Sequence, residues 1–120
     1  MRALALGLCL GLGFGHSSIA QEVSQGTGAV LRGLEKVNGQ IFDIELANGA
    51  SHATDRLTIT LKECRYPTEN PSGEAYAYLT ITETDATTPV FQGWMVASSP
   101  ALNALEHPRY DVWVLRCKTE

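Results

Sequence analysis

The sequence predicts an all-β domain: a compact antiparallel barrel or sandwich of about six strands, with one short helix before the last. Three observations predict it. Short runs alternate strictly between apolar and polar residues, Asn-Gly pairs and Pro/Gly clusters separate those runs, and only one segment changes to helical spacing. The 120 residues are 44% hydrophobic and 18% charged. That suits one small core and leaves too little chain for a deep cleft between domains.

Residues 1–20 have the layout of a secretory signal peptide. Arg2 supplies a positive start, Ala3 to Phe14 is an apolar run interrupted only by glycines, and Ser18 and Ala20 are small residues three and one positions before Gln21. The run is shorter than the roughly 20 residues that a spanning helix needs. Leu8 directly before Cys9 argues against a lipoprotein signal. Cleavage near Ala20 and a periplasmic location are the expectation.

Without Arg2, residues 21–120 keep eight of the nine basic side chains and all thirteen acidic ones, a net charge of −5. No basic excess exists to release counterions from nucleic acid, so no nucleic-acid partner is expected. No later run is apolar for long enough to span a bilayer. Cys64 and Cys117 remain, and after export two cysteines have one possible pairing. Closing a loop of about 50 residues would stabilise the fold by roughly 4 kcal/mol in the chain-entropy model. There is no Cys-x-x-Cys and no nearby basic cluster to favour a thiolate, which predicts a structural bond.

Residues 21–28 are polar and glycine-containing, which predicts a flexible lead-in to a single β domain over 29–120. Ala29–Val37 and Gln40–Ala47 flank Asn38-Gly39, a two-residue hairpin signal. In the second arm Phe42, Ile44 and Leu46 alternate with Asp43 and Glu45. Asn48-Gly49 then leads to a third arm, Arg56–Leu61, so that the three read as a meander. Cys64 falls out of phase with Leu57, Ile59 and Leu61, which predicts a bulge or strand end just before it. Arg65–Gly73, with Pro67, Asn70 and Pro71, reads as a loop. Ala75–Thr82 alternates small or aliphatic residues with Tyr76, Tyr78, Thr80 and Thr82, and Val90–Ala97 carries Trp94. Ser99-Pro100 resembles a helix start, with Leu102 and Leu105 on one face and Pro108 as the stop. Arg109–Cys117 closes the domain; its middle is apolar on both faces, which predicts a central strand with Trp113 in the core.

Candidate chemistry is sparse, and no catalytic residue, cofactor or metal site is expected. His52 and His107 lack the spacing of metal ligands. Ser98 and Ser99 near His107 have no nucleophile elbow around them, and helix capping accounts for Ser99. Glu63, Glu69, Glu74, Asp85 and Asp111 could include a carboxylate pair, but scattered acids on a negatively charged chain read as solvation. Aromatics are more suggestive, because a row of them on a sheet face can bind sugars, peptides or a partner's surface. For Tyr76 and Tyr78 the binding and the packing readings stand level. The same holds for the proline-stiffened loop after Cys64, as recognition loop or rigid connector. The candidate contact surface is Arg65, Tyr66, Tyr76, Tyr78, Trp94, Arg109 and Tyr110, since aromatic and arginine side chains dominate interface hot spots.

Four strings carry a family resemblance: Gly28 to Gly39, Glu63 to Pro67, Phe91 to Leu102, and His107 to Cys117. Together they resemble a family of small exported proteins of Gram-negative bacteria catalogued as domain of unknown function 2155. The resemblance covers essentially the whole of the expected mature chain and includes both cysteines. It carries no catalytic assignment. It does imply a setting, because members occur near genes for accessory subunits of the proton-pumping NADH dehydrogenase. The resulting expectation is a non-catalytic periplasmic interaction domain, an accessory subunit docked on a membrane protein complex. The rivals are a module binding cell-envelope glycan or peptide through the same aromatics, and a small hydrolase using His107 or an acid pair.

Overall fold

Alternation gives each strand one apolar row, and such rows are buried when two sheets face each other. The computed structural model, which describes residues Glu22–Glu120, does this with eight strands and no helix. The expected signal peptide lies outside the described residues. One sheet runs β1 (Val23–Gln25), β5 (Leu57–Pro67), β6 (Tyr76–Glu83), β7 (Phe91–Val96), and β4 (Ser51–Ala53) also pairs with β5. The other runs β3 (Gln40–Ala47), β2 (Gly28–Glu35), β8 (Tyr110–Lys118). All pairings are antiparallel. The two sheets do not close into a barrel. Between them lie Leu57, Ile59 and Leu61 of β5, Leu79 and Ile81 of β6, and Leu31, Ile44, Leu46, Val112 and Val114 of the smaller sheet.

Several expectations are corrected. The β2–β3 connection is four residues, 36–39, rather than two. Gly39 takes φ of 75° and its N–H bonds the Glu35 carbonyl at 2.8 Å, while Asn38 Oδ1 accepts from Gln40 N–H. The asparagine side chain thus closes the turn through its own acceptor. No three-strand meander forms, because the chain leaves the smaller sheet at Asn48-Gly49 and enters the larger one as β4. Residues 23–25 of the expected lead-in are β1, paired with Arg65–Pro67. That pairing also carries β5 to Pro67, so the expected loop at Arg65–Gly73 begins only at residue 68.

The expected helix is absent. Leu102 N–H makes a single i→i−3 bond to the Ser99 carbonyl, and the segment then straightens toward Pro108. Seven residues between two prolines are too few to sustain a helix on their own. Here they cover the open edge of β7. Asn103 Nδ2 donates to the Trp94 carbonyl at 2.8 Å, and just before the segment Ser99 N–H turns the chain off β7 with a bond to the Val96 carbonyl at 3.1 Å. Leu102 is 75% exposed while Leu105 plugs the core, so the two do not share a face.

The last strand, β8, is an edge of its sheet; β2 is the centre. Trp113 is outside the core, half-buried on the outer row beside Arg32. The misleading apolar middle has a cause: the β2–β8 register shifts at Val30/Leu31, leaving Leu115 as an extra residue. The bulge resets the alternation, so that Val112, Val114 and Cys117 all face inward. The same device appears on β5, where Leu61 pairs with Leu79 but Glu63 with Tyr78, which leaves Lys62 as the extra residue. It turns Cys64 inward beside Leu61.

Each bulge stands two residues before a cysteine, and the two inward sulfurs join the sheets. Cys64 and Cys117 form a disulfide with a Cα–Cα distance of 5.6 Å and a sequence separation of 53. Closing such a loop stabilises the fold by about 4 kcal/mol in the chain-entropy model, a large share of the stability of a domain this small. The double variant Cys64→Ala, Cys117→Ala is expected to lose about 3–4 kcal/mol in urea unfolding. A loss below about 1 kcal/mol would show that β5 and β8 hold each other without the bond.

Candidate functional site

The bulge that buries Cys64 also decides what β5 shows to solvent. From Lys62 on, the outward residues are Lys62, Glu63 and Arg65, and register carries Glu63 to Tyr78 and Trp94, and Arg65 to Tyr76 and Val96. Threonines 58, 60, 80 and 82 continue the face away from the disulfide. Three aromatic rings, two cations and one carboxylate therefore meet at one end of the outer surface of the larger sheet.

The contacts within this cluster are specific. Tyr78 and Trp94 stack edge to face with centroids 5.3 Å apart and planes at 83°, the arrangement their ring quadrupoles favour. The Arg65 guanidinium lies 5.1 Å from the Trp94 centroid, and the Lys62 ammonium 5.4 Å from that of Tyr78, both within cation–π range. Arg65 also donates twice to Glu63, from Nε and Nη2, each at 3.1 Å. Glu63 fixes the guanidinium plane, and the plane fixes the Trp94 ring. A cleft of about 270 Å³, lined by Val23, Arg65, Tyr76 and Trp94, opens beside the indole.

Glu74 braces the corner where β6 begins. Its Oε1 accepts from Ala75 N–H at 3.1 Å and Ser98 N–H at 2.9 Å, and the Ser98 hydroxyl donates to Oε2. Burial pushes this carboxyl up, but the three donors outweigh it and hold it below its ordinary value of 4.5. Those bonds tie the start of β6 to the end of β7 and keep Tyr76 opposite Val96.

Four of the seven candidate contact residues converge here: Arg65, Tyr76, Tyr78 and Trp94. Tyr66 does not join them, because alternation turns it to pack against the core. Arg109 and Tyr110 lie at the opposite end of β8 from Cys117. Arg109 pairs with Glu35 at 2.8 Å, and Tyr110 is 2% exposed with its hydroxyl on Asp55. Lys62 and Val23 also lie in this cluster and are not among the seven. Simple alternation from Thr58 and Thr60 would have found Lys62; Val23 had no signal, since β1 is visible only through its pairing.

A larger cleft of about 600 Å³ opens at that other end, among Asp55, Arg56, Glu83, Asp85, His107 and Arg109. Three of its charged groups are engaged: Glu83 with His107, Arg109 with Glu35, and Asp55 with the Tyr110 hydroxyl. His107, 8% exposed at its side chain, bonds Glu83 through Nε2 at 2.8 Å, and its Nδ1 accepts from the N–H groups of Arg109 and Tyr110. Accepting at Nδ1 places the proton on Nε2, so the ring clamps the entry to β8. Ser98 is held by Glu74 rather than by His107. Among the described residues no group of three or more His, Cys, Asp or Glu side chains is placed to hold a metal ion, and no helix is long and apolar enough to cross a membrane.

Fold and site together define a small disulfide-linked two-sheet domain with an aromatic and cationic face. The chain belongs to the family described as "Uncharacterized protein conserved in bacteria (DUF2155)", whose model matches residues 29–117. It is similar to an uncharacterized protein, RP359, of Rickettsia prowazekii (strain Madrid E), at 32% identity over 87 residues. That match covers 70% of this chain and 56% of the relative, so the chain spans little more than half of the relative's length. No solved structure matches.

The brace at Glu74 gives a pH test. A carboxylate whose value is lowered by folding stabilises the folded state fully above its unfolded value, and the effect is lost as pH falls through the lowered one. The stability gap between the native chain and Glu74→Gln is therefore expected to be widest above about pH 5 and to narrow as the solution is made more acid. Urea midpoints measured across that range check it; a gap that stays constant or widens in acid contradicts it.

Proposed function

We propose that this is an exported, non-catalytic interaction domain that docks on a protein partner through the Tyr76–Tyr78–Trp94 face. In its finer form the proposal is an accessory subunit on the outer-facing side of a membrane protein complex, the setting that the family resemblance implies. The observation that supports it best is the pre-set cluster of Arg65, Tyr78 and Trp94. Rigid aromatic and arginine side chains held in place before binding lose little freedom on docking, and they are the residue types that dominate interface hot spots.

One observation weighs against the rival reading as a glycan platform. A sugar stacks on an open aromatic ring face, whereas here Lys62 already covers a face of Tyr78 and Arg65 a face of Trp94. The proposal is tested by affinity purification of the tagged chain from detergent-solubilised membranes and from soluble extract, followed by mass spectrometry. One membrane complex is expected at near-stoichiometric ratio. Tyr78→Ala and Trp94→Ala are expected to reduce its recovery severalfold while shifting the melting temperature little, because both side chains lie outside the core. Arg109→Ala should do the reverse, lowering stability through loss of the Glu35 pair and leaving recovery intact. Recovery unchanged by Tyr78→Ala and Trp94→Ala would sink the proposal.

A further inference from the structure

We infer that the cleft beside Trp94 receives one apolar side chain from an extended segment of a protein, and that Lys62 receives a carboxylate two residues away in the same segment. This rests on the proposed docking role of the face and adds the chemistry of what docks there.

Size argues for a side chain rather than a small molecule. Sites for cofactors and small ligands run from about 300 to 1,000 Å³ and enclose most of the ligand. The space beside Trp94 is about 270 Å³, which suits a single anchoring group of a larger partner. Apart from the guanidinium its walls are Val23 and two aromatic rings, so the anchor is apolar.

Charge argues for the carboxylate. The outward positions of β5, β6 and β7 between Thr58 and Val96 carry only three charges: Lys62, Glu63 and Arg65. Arg65 is committed to Glu63 through two hydrogen bonds. Lys62 rests on the Tyr78 ring and has no carboxylate partner among the described residues. An incoming anion can pair with it without breaking any bond of the domain. On a chain region of net charge −5, this is the place on the face where a negative group gains attraction instead of repulsion.

Spacing joins the two. Side chains on one face of an extended strand stand about 7 Å apart, two residues along. Tyr76 lines the cleft and Tyr78 carries Lys62, and these are two residues apart on β6. A segment lying extended along β6 thus presents its anchor and its carboxylate at positions i and i+2.

The test uses Trp94 fluorescence in a Trp113→Phe background, where Trp94 is the sole tryptophan of the two in the sequence. The probe is a blocked serine-rich pentapeptide with leucine second and glutamate fourth; its control has lysine in place of glutamate. The glutamate peptide is expected to shift Trp94 emission saturably in the millimolar range, less strongly as salt is raised, and about threefold more weakly in Lys62→Gln. The lysine peptide should leave the emission unchanged. Equal shifts from both peptides, or an unchanged affinity in Lys62→Gln, overturns the inference. No shift from either peptide, with Trp94→Ala still reducing recovery of the complex severalfold, overturns the segment chemistry alone. Failure of the docking face itself shows separately, as recovery that Trp94→Ala does not change.

Discussion

The rest of the structure depends on one covalent bond placed between two sheets. Cys64 belongs to the larger sheet and Cys117 to the smaller, and a disulfide can form only if both side chains point into the space between them. Strict alternation would have turned Cys64 outward, given Leu57, Ile59 and Leu61 inward, and Cys117 outward, given Val112 and Val114 inward. One extra residue in each strand, Lys62 and Leu115, resets the phase. The chain thus accommodates two interruptions of its ladders at matching distances from the two cysteines. For a core this small the bond outweighs what those interruptions cost.

The same reset composes the outer surface. Beyond the bulge Glu63 and Arg65 turn outward and come into register with Tyr78, Trp94 and Tyr76. The interior constraint and the exterior cluster are two consequences of one irregularity in β5. Further order follows from β1, which pairs with Arg65–Pro67 and lends Val23 to the cleft, and from the Glu74–Ser98 bonds, which hold the β6–β7 corner. The opposite end of the sandwich is organised differently. There His107, Glu83, Arg109, Glu35, Tyr110 and Asp55 satisfy one another and secure the entry to β8.

Much of this was legible in the sequence where a residue's neighbours in the chain decide its fate. The inward row of β6, the all-β class, the cysteine pairing and the break in phase before Cys64 all follow from alternation and turn chemistry. What escaped depends on pairing across the chain. Residues 23–25 look like a polar tail until Arg65–Pro67 supplies the other half of a ladder. Pro100–Pro108 has helical spacing in Leu102 and Leu105, yet its Asn103 side chain binds the Trp94 carbonyl of β7 instead. Trp113 read as core because the bulge at Leu115 was invisible, and without it Trp113, Leu115 and Cys117 seem to share one face. Arg65, Tyr76, Tyr78 and Trp94 were singled out by residue type and the fold brings them together, whereas Tyr66, Arg109 and Tyr110 have the same types in places that use them for packing and ion pairing.

The most direct measurement is to move the cysteine by one residue. In the double variant Glu63→Cys, Cys64→Ala, the thiol at position 63 stands on the outer face while Cys117 remains inside. For residues 21–120, which exclude Cys9, the account predicts two titratable thiols per chain after oxidative refolding and no peptide linked between positions 63 and 117 in a non-reducing digest. A bond between those positions, with unfolding as cooperative as that of the native chain, would contradict it. It would mean that β5 has no set phase, and that the face carrying Arg65, Tyr78 and Trp94 has no set composition.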